Sequence, residues 1–150
     1  MKKFLFGFIL LGLLVSCNNF FEKESVWSDS FGNKIIYDWG FGDASIIYTN
    51  STGKELKLCN YAYADANERV MLEVSPDSSK ICLLFTSSSN LDVYPLGCGL
   101  RIYQLSNTSN DLSLKTEKLI SDIQVSSIIA ITDEAISYTD VSGDVYTYLF

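Results

Sequence analysis

The side chains in this 150-residue chain that are capable of chemistry are carboxylates, serines and thiols; there is no histidine. That absence removes the Ser-His-Asp and Cys-His nucleophiles, zinc sites of the H-E-x-x-H kind and the usual proton shuttle near neutral pH. A hydrolase built from what is left would need two carboxylates converging at about 5–10 Å with separated pKa values, or a Ser-Lys arrangement. Asp38, Asp43, Asp77, Asp133, Asp140 and Asp144 all fall at turns by pattern, where solvated acids ordinarily sit, and Ser79 and Lys80 are adjacent rather than spaced. Asp140-Val141-Ser142-Gly143-Asp144 carries oxygen ligands but lacks the frame and distal glutamate of a calcium loop. Gly40-Phe41-Gly42 is too short to cradle a phosphate. The pattern specifies no catalytic residue, no metal site and no cofactor.

The elements that would carry such groups begin with an address. Met1-Lys2-Lys3 is a short basic start, Phe4 to Val15 is uncharged and apolar, and Ser16-Cys17 ends the run. A basic region, a short apolar region and a small residue before a cleavage point are the grammar of an export signal. The run is shorter than the roughly 20 residues a spanning helix needs, and polar Asn18-Asn19 follow it. Leu14-Val15-Ser16-Cys17 resembles the lipobox of bacterial lipoproteins at all four positions. The resemblance implies cleavage between Ser16 and Cys17 and a diacylglycerol thioether on Cys17. It further implies a chain anchored in the membrane by that lipid, on the extracytoplasmic side of the cell envelope. Acyl chains contribute about 0.8 kcal/mol per buried CH₂, and stable anchoring takes more than one, which a diacylglyceryl group plus an N-acyl chain supplies. The expected division is a signal at 1–16, a lipidated N-terminus and tether at 17–32, and one domain at 33–150.

Of the 11 basic residues two belong to the signal, which leaves nine against 18 acidic ones. An acidic balance of that size argues against nucleic acid as a partner, since phosphate neutralisation takes clustered Lys and Arg. It also argues against docking on anionic head groups, so the lipid is left to hold the protein at the membrane. With Cys17 acylated, Cys59, Cys82 and Cys98 remain, an odd number with no C-x-x-C spacing. Cys82, inside Ile81-Cys82-Leu83-Leu84-Phe85, reads as a small buried hydrophobe; if one bridge forms, it is expected between Cys59 and Cys98.

From Lys34 onward the pattern predicts an all-β domain. Runs rich in Ile, Val, Tyr and Thr alternate with Gly, Asn, Asp and Ser clusters. Strands are expected at 34–39, 44–49, 55–61, 69–74, 80–86, 100–105, 113–119, 125–131, 135–139 and 144–149. Residues 62–68 are ambiguous between loop and helical turn, and 116–123 are weakly helical by composition. Asn50-Ser51-Thr52-Gly53 and Asp140-Val141-Ser142-Gly143 are turns of the kind that close hairpins.

Three segments repeat one layout of strand, turn, aromatic strand, turn and strand: 35–61, 70–105 and 127–149. In the second, Val74-Ser75-Pro76-Asp77-Ser78-Ser79-Lys80-Ile81 resembles the S-P-D-G-x-x-[IL] turn of TolB-like or WD40-like β-propeller blades, with Ser78 where glycine is usual. Leu100 to Leu105 resembles the strand that follows. The resemblance implies three antiparallel blade-like units of three to four strands, a partial propeller, since a closed ring needs at least about four blades. A small sandwich or barrel built of the same units is the alternative.

Nine tyrosines, nine phenylalanines and two tryptophans give ample material for a contact surface. Trp39, Phe41, Tyr61, Tyr63, Tyr94 and Tyr103 are the candidates, at strand ends or in loops. The function expected is therefore a non-enzymatic, membrane-anchored envelope lipoprotein that binds or scaffolds an envelope protein or glycan. Two alternatives are a carboxylate-dependent hydrolase of envelope glycans, and a truncated piece of a larger propeller lipoprotein.

Overall fold

The computed structural model describes residues 22–39, 43–62, 70–86, 96, 98–108 and 111–150. The signal, Cys17, and residues Phe41, Tyr63 and Tyr94 lie outside that set. All regular structure in the described residues is β: eleven strands in three antiparallel sheets.

The first sheet is a meander of β1 (Glu22–Ser28), β2 (Lys34–Trp39), β3 (Asp43–Thr49) and β4 (Glu55–Ala62). The middle sheet orders β5 (Val70–Val74), β6 (Lys80–Thr86), β7 (Cys98–Asn107) and β8 (Leu112–Ile120) in the same way. The third sheet has three strands, β9 (Val125–Ile131), β10 (Ala135–Asp140) and β11 (Val145–Leu149). None of the sheets closes into a barrel. The expected all-β architecture of three three- to four-stranded antiparallel units is what the chain forms.

Two expectations need correction. Residues 22–28 are not tether: they form β1, paired along β2 from Glu22–Trp39 to Ser28–Lys34. The alternation that marks a strand is hidden there by a bulge at Val26, and Glu22, Lys23 and Glu24 give the strand a charged, edge-like composition. The first unit therefore starts one strand earlier than the sequence repeat suggests. Residues 116–120, weakly helical by composition, are instead the end of β8.

The sheets stack because the middle one is apolar on both faces. Ile81, Leu83 and Phe85 of β6 and Tyr103 and Leu105 of β7 pack against Ile35, Tyr37, Ile46, Tyr48 and Leu58 of the first sheet. The alternate residues, Cys82, Leu84, Leu100 and Ile102, pack against Val125, Ile136 and Tyr138 of the third. Residues 81–84 of β6 are each 0% exposed. A strand buried on both faces reads as a continuous apolar run rather than an alternation, which is why 81–85 carries no polar residue.

Truncating either set should open a cavity in a different interface. Leu83→Ala and Leu84→Ala are each expected to cost about 2–5 kcal/mol, measured by chemical denaturation. A loss in only one of them would mean that one of the two sheet interfaces contributes little.

Candidate functional site

The sheets are tied together at one end by their turns. Ser75 to Ser79 joins β5 to β6: the Ser75 amide donates to the Lys80 carbonyl at 2.9 Å and the Ser78 amide to the Ser75 carbonyl at 2.9 Å. Ser78 holds φ = +55°, the left-handed conformation that favours glycine. Its hydroxyl uses that position to donate to Asp29 Oδ2 of the first sheet at 2.9 Å. The Asp77 amide donates to Asp133 Oδ1 of the third sheet at 3.0 Å. One turn thus holds both neighbours.

Asp77 organises that turn. Its Oδ1 accepts from the Ser75 hydroxyl at 2.6 Å and the Ser79 amide at 2.9 Å, and its Oδ2 from the Ser79 hydroxyl at 2.7 Å and Lys80 Nζ at 3.1 Å. Partial burial opposes ionisation, but the hydrogen bonds from Ser75, Ser79 and Lys80 outweigh it and hold the carboxyl far below its usual range. Asp29 is lowered in the same way: burial raises it, and hydrogen bonds from Asn33, Ser78 and Phe31 together prevail. Asp140 plays the equivalent role in the β10–β11 hairpin, where its Oδ1 accepts from the Ser142 and Asp144 amides at 2.9 and 3.0 Å. These acids are turn scaffolding.

Beside the Asp77 turn an open cleft of about 490 Å³ lies between the middle and third sheets. Antiparallel register builds its floor: Lys80 pairs with Gln104 and Gln104 with Thr116, with Lys115 as the extra residue of a bulge in β8. Asn107 and Phe150 complete the wall. Lys80 Nζ lies 5.6 Å from the centre of the Phe150 ring, and the Phe150 amide is fixed to the Glu134 carbonyl at 2.9 Å. Asn107 Nδ2 donates to the Tyr48 hydroxyl at 2.7 Å, and burial, with the Asp29 charge, pushes that phenol up to about 12. The cleft thus offers two ammonium groups, two carboxylates, amides and one aromatic ring. Its volume is in the range of small-molecule sites.

The structure divides the aromatic residues expected to form a contact surface. Strand register sets Trp39 and Tyr61 on either side of Ala44, at one end of the first sheet. Trp39 is half-buried and stacks edge-on against Tyr37 at 5.7 Å. Tyr103 does not belong with them: it is 0% exposed in the core between the first and middle sheets, because its position in β7 turns it inward opposite Ile81. The expected Cys59–Cys98 bridge is also absent, for both are free thiols, one in the first sheet and one in the middle sheet. Cys82 is the buried hydrophobe expected, and desolvation pushes its thiol well up. Among the described residues no group of acids and cysteines is disposed to hold a metal.

The cleft residues Lys80, Gln104, Asn107, Lys115 and Phe150 were not anticipated as a group. Lys80, Asn107 and Phe150 sit at or beside strand ends, which the hairpin order brings to one pole, while Gln104 and Lys115 lie within β7 and β8 and join them through the strand register. No protein family, curated protein or solved structure matches the chain.

Two outcomes follow. Asp29 and Asp77 have folded pKa values below their unfolded ones. Their contribution to stability is complete above about pH 5 and is withdrawn as pH falls through about 4 and below. Melting temperature measured against pH should therefore show an acid limb that Asp77→Asn makes shallower; an unaltered limb would place the loss elsewhere. The Tyr103 hydroxyl is buried and makes no hydrogen bond of good geometry among the described residues, with only the Cys59 thiol and the Arg101 side chain close to it. Tyr103→Phe should accordingly be neutral or stabilising by up to about 1 kcal/mol, and a marked loss of stability would show that the hydroxyl is satisfied.

Proposed function

We propose that this chain is a bacterial envelope lipoprotein, anchored by acyl chains on Cys17, whose β-domain binds an envelope glycan in the polar cleft. The anchor rests on Leu14-Val15-Ser16-Cys17 behind a short basic and apolar leader. The observation that carries the binding reading is the cleft's composition. Gln104, Asn107 and Ser106 present hydrogen-bonding side chains, Phe150 a ring face, and Lys80 and Lys115 positive charge. That set suits a sugar ring bearing an acidic substituent: hydroxyls to the amides and carboxylates, the apolar ring face to Phe150, and the anionic group to Lys115, since Lys80 is paired with Asp77 at 3.1 Å.

A second reading has one observation in its favour, namely that Asp77 and Asp133 both line the cleft. A glycosidase needs one carboxyl with a raised pKa to act as acid. Asp77 is held low, so Asp133 would have to serve as the acid, and its Oδ1 already accepts from the Asp77 amide. Binding without turnover is the reading better supported.

Metabolic labelling with an acyl precursor should mark the wild-type chain and not Cys17→Ala; undiminished labelling would remove the anchor from this reading. Binding of solubilised peptidoglycan fragments, followed by calorimetry, should weaken about tenfold or more on Lys115→Ala or Phe150→Ala with no change in fold. Fragment turnover abolished by Asp133→Asn would favour the hydrolase instead, and no binding at all would leave a protein partner as the ligand class.

A further inference from the structure

The inter-sheet bonds set the three sheets in correspondence. The Asp29–Asn33, Ser75–Ser79 and Thr132–Glu134 turns lie side by side through Ser78 to Asp29 and Asp77 to Asp133. The strands they join are therefore equivalent: β1, β5 and β9 first, then β2, β6 and β10. In the first two sheets the third strand is covered by a fourth, β4 on β3 and β8 on β7. In the third sheet β11 occupies the third place, and among the described residues no strand pairs with its outer edge.

That edge differs from every other in the described fold. β1 carries charges and a bulge at Val26. β4 carries Glu55, Lys57 and a bulge at Leu58. β5 carries Glu73, β8 carries Lys115, Glu117, Lys118 and a bulge, and β9 carries two bulges. Such features obstruct edge-to-edge pairing. β11, Val-Tyr-Thr-Tyr-Leu, has no charge, no proline and no bulge.

Two hydrogen bonds fix which of its main-chain groups point outward. The Asp144 carbonyl accepts from the Asp140 amide and the Phe150 amide donates to the Glu134 carbonyl. The even-numbered residues therefore face β10, and Val145, Thr147 and Leu149 turn their N–H and C=O groups to the open edge. The side chains of Val145 and Leu149 are 64% and 72% exposed, while Tyr146 and Tyr148 pack inward against the core.

We infer that β11 pairs antiparallel with β11 of a second copy of this chain, about a two-fold axis through Thr147. The strand is self-complementary about that residue. Thr147 meets Thr147 of the second copy, Val145 meets Leu149, and Tyr146 meets Tyr148, so that apolar faces apolar and aromatic faces aromatic. The outward main-chain groups of residues 145, 147 and 149 are then satisfied as hydrogen-bonded pairs. The central position is uncharged, which suits two molecules that each carry a net charge of −7 and would repel through other faces. Two-fold pairing consumes the open edge on each copy, and the bulged β9 edges stop further growth. The pairing follows from β11 itself and does not rest on what the cleft binds.

The test uses the full chain in detergent. Thr147→Cys places thiols across the axis at a Cα separation of about 5.5 Å, within disulfide range. On mild oxidation it should give a covalent dimer, while Val145→Cys should cross-link to Leu149→Cys in a mixture and not to itself. Thr147→Pro removes an outward amide, which an edge strand tolerates, and an exposed 3.3 Å hydroxyl contact to Ser137 that Thr147→Val removes alone; Thr147→Pro should weaken dimerisation at least tenfold in sedimentation equilibrium while its melting temperature stays close to that of Thr147→Val. A wild-type chain monomeric at micromolar concentration, or Val145→Cys cross-linking to itself as readily as Thr147→Cys does, would overturn the proposal.

Discussion

Because β6 and its neighbour β7 are buried on both faces, the two sheet interfaces of this molecule meet in one pair of strands, and the rest of the structure is arranged around that fact. Ile81, Leu83 and Phe85 commit one face to the first sheet, and Cys82 and Leu84 commit the other to the third. Each large side chain buried in this way contributes about 1.5–3 kcal/mol, and the pleat allows no slip: a shift of one residue would exchange the two sets between interfaces. Cys82 fits this constraint as a small, apolar group. Its thiol is desolvated and held protonated, so it serves packing rather than redox chemistry.

Burial alone would let the sheets slide or rotate over one another, since apolar contact is not directional. Direction comes from the polar turns at one pole. Ser75-Pro76-Asp77-Ser78-Ser79 bonds forward to Asp133 and back to Asp29, and the buried Ser78 accepts a left-handed backbone to do so. A glycine would adopt that conformation at lower steric cost but would have no hydroxyl for Asp29. The serine in the glycine position of an S-P-D-G-like turn is thus accounted for by an inter-sheet bond. The same pole carries the cleft because the turns bring together the ends of strands from two sheets.

Much of this was legible in the sequence. Three strands, at 34–39, 80–86 and 125–131, were placed with the bounds they have in the structure, because Ile, Val, Tyr and Leu runs there are bounded by polar residues or glycine: Asn33 and Gly40, Ser79 and Ser87, Gln124 and Thr132. The Asn50 and Asp140 turns were legible for a physical reason: Asn or Asp accepts from the amides two and four residues on, and glycine in the fourth place supplies the positive φ. The Asp29–Asn33 turn has the same bonds but lay in a stretch whose charges and bulge masked the strand before it. Tyr103 was misjudged because a strand's facing depends on its partner, and Tyr103 pairs with Ile81 in the most buried strand of the fold. The cleft was not legible, since its residues come from positions 77 to 150 and meet only through the stacking of two sheets.

The cleft and the bare edge of β11 have a common origin in the strand count of the third sheet. The first and middle sheets are each four strands wide, and β4 lies against β8 where they stack. On its other face the middle sheet meets a neighbour of three strands. β8 therefore has no counterpart strand above it among the described residues, and Lys115 in its bulge is left to line an open space. Phe150, immediately after β11, forms the facing wall. A fourth strand of the same chain beside β11 would satisfy that edge and also cover β8, narrowing the cleft. A strand that joins through its edge from a second copy extends the sheet with its own body turned outward, so the degree to which it closes the cleft depends on the twist across the axis. The width of the third sheet is therefore the geometric quantity through which self-association and ligand access are coupled in this molecule.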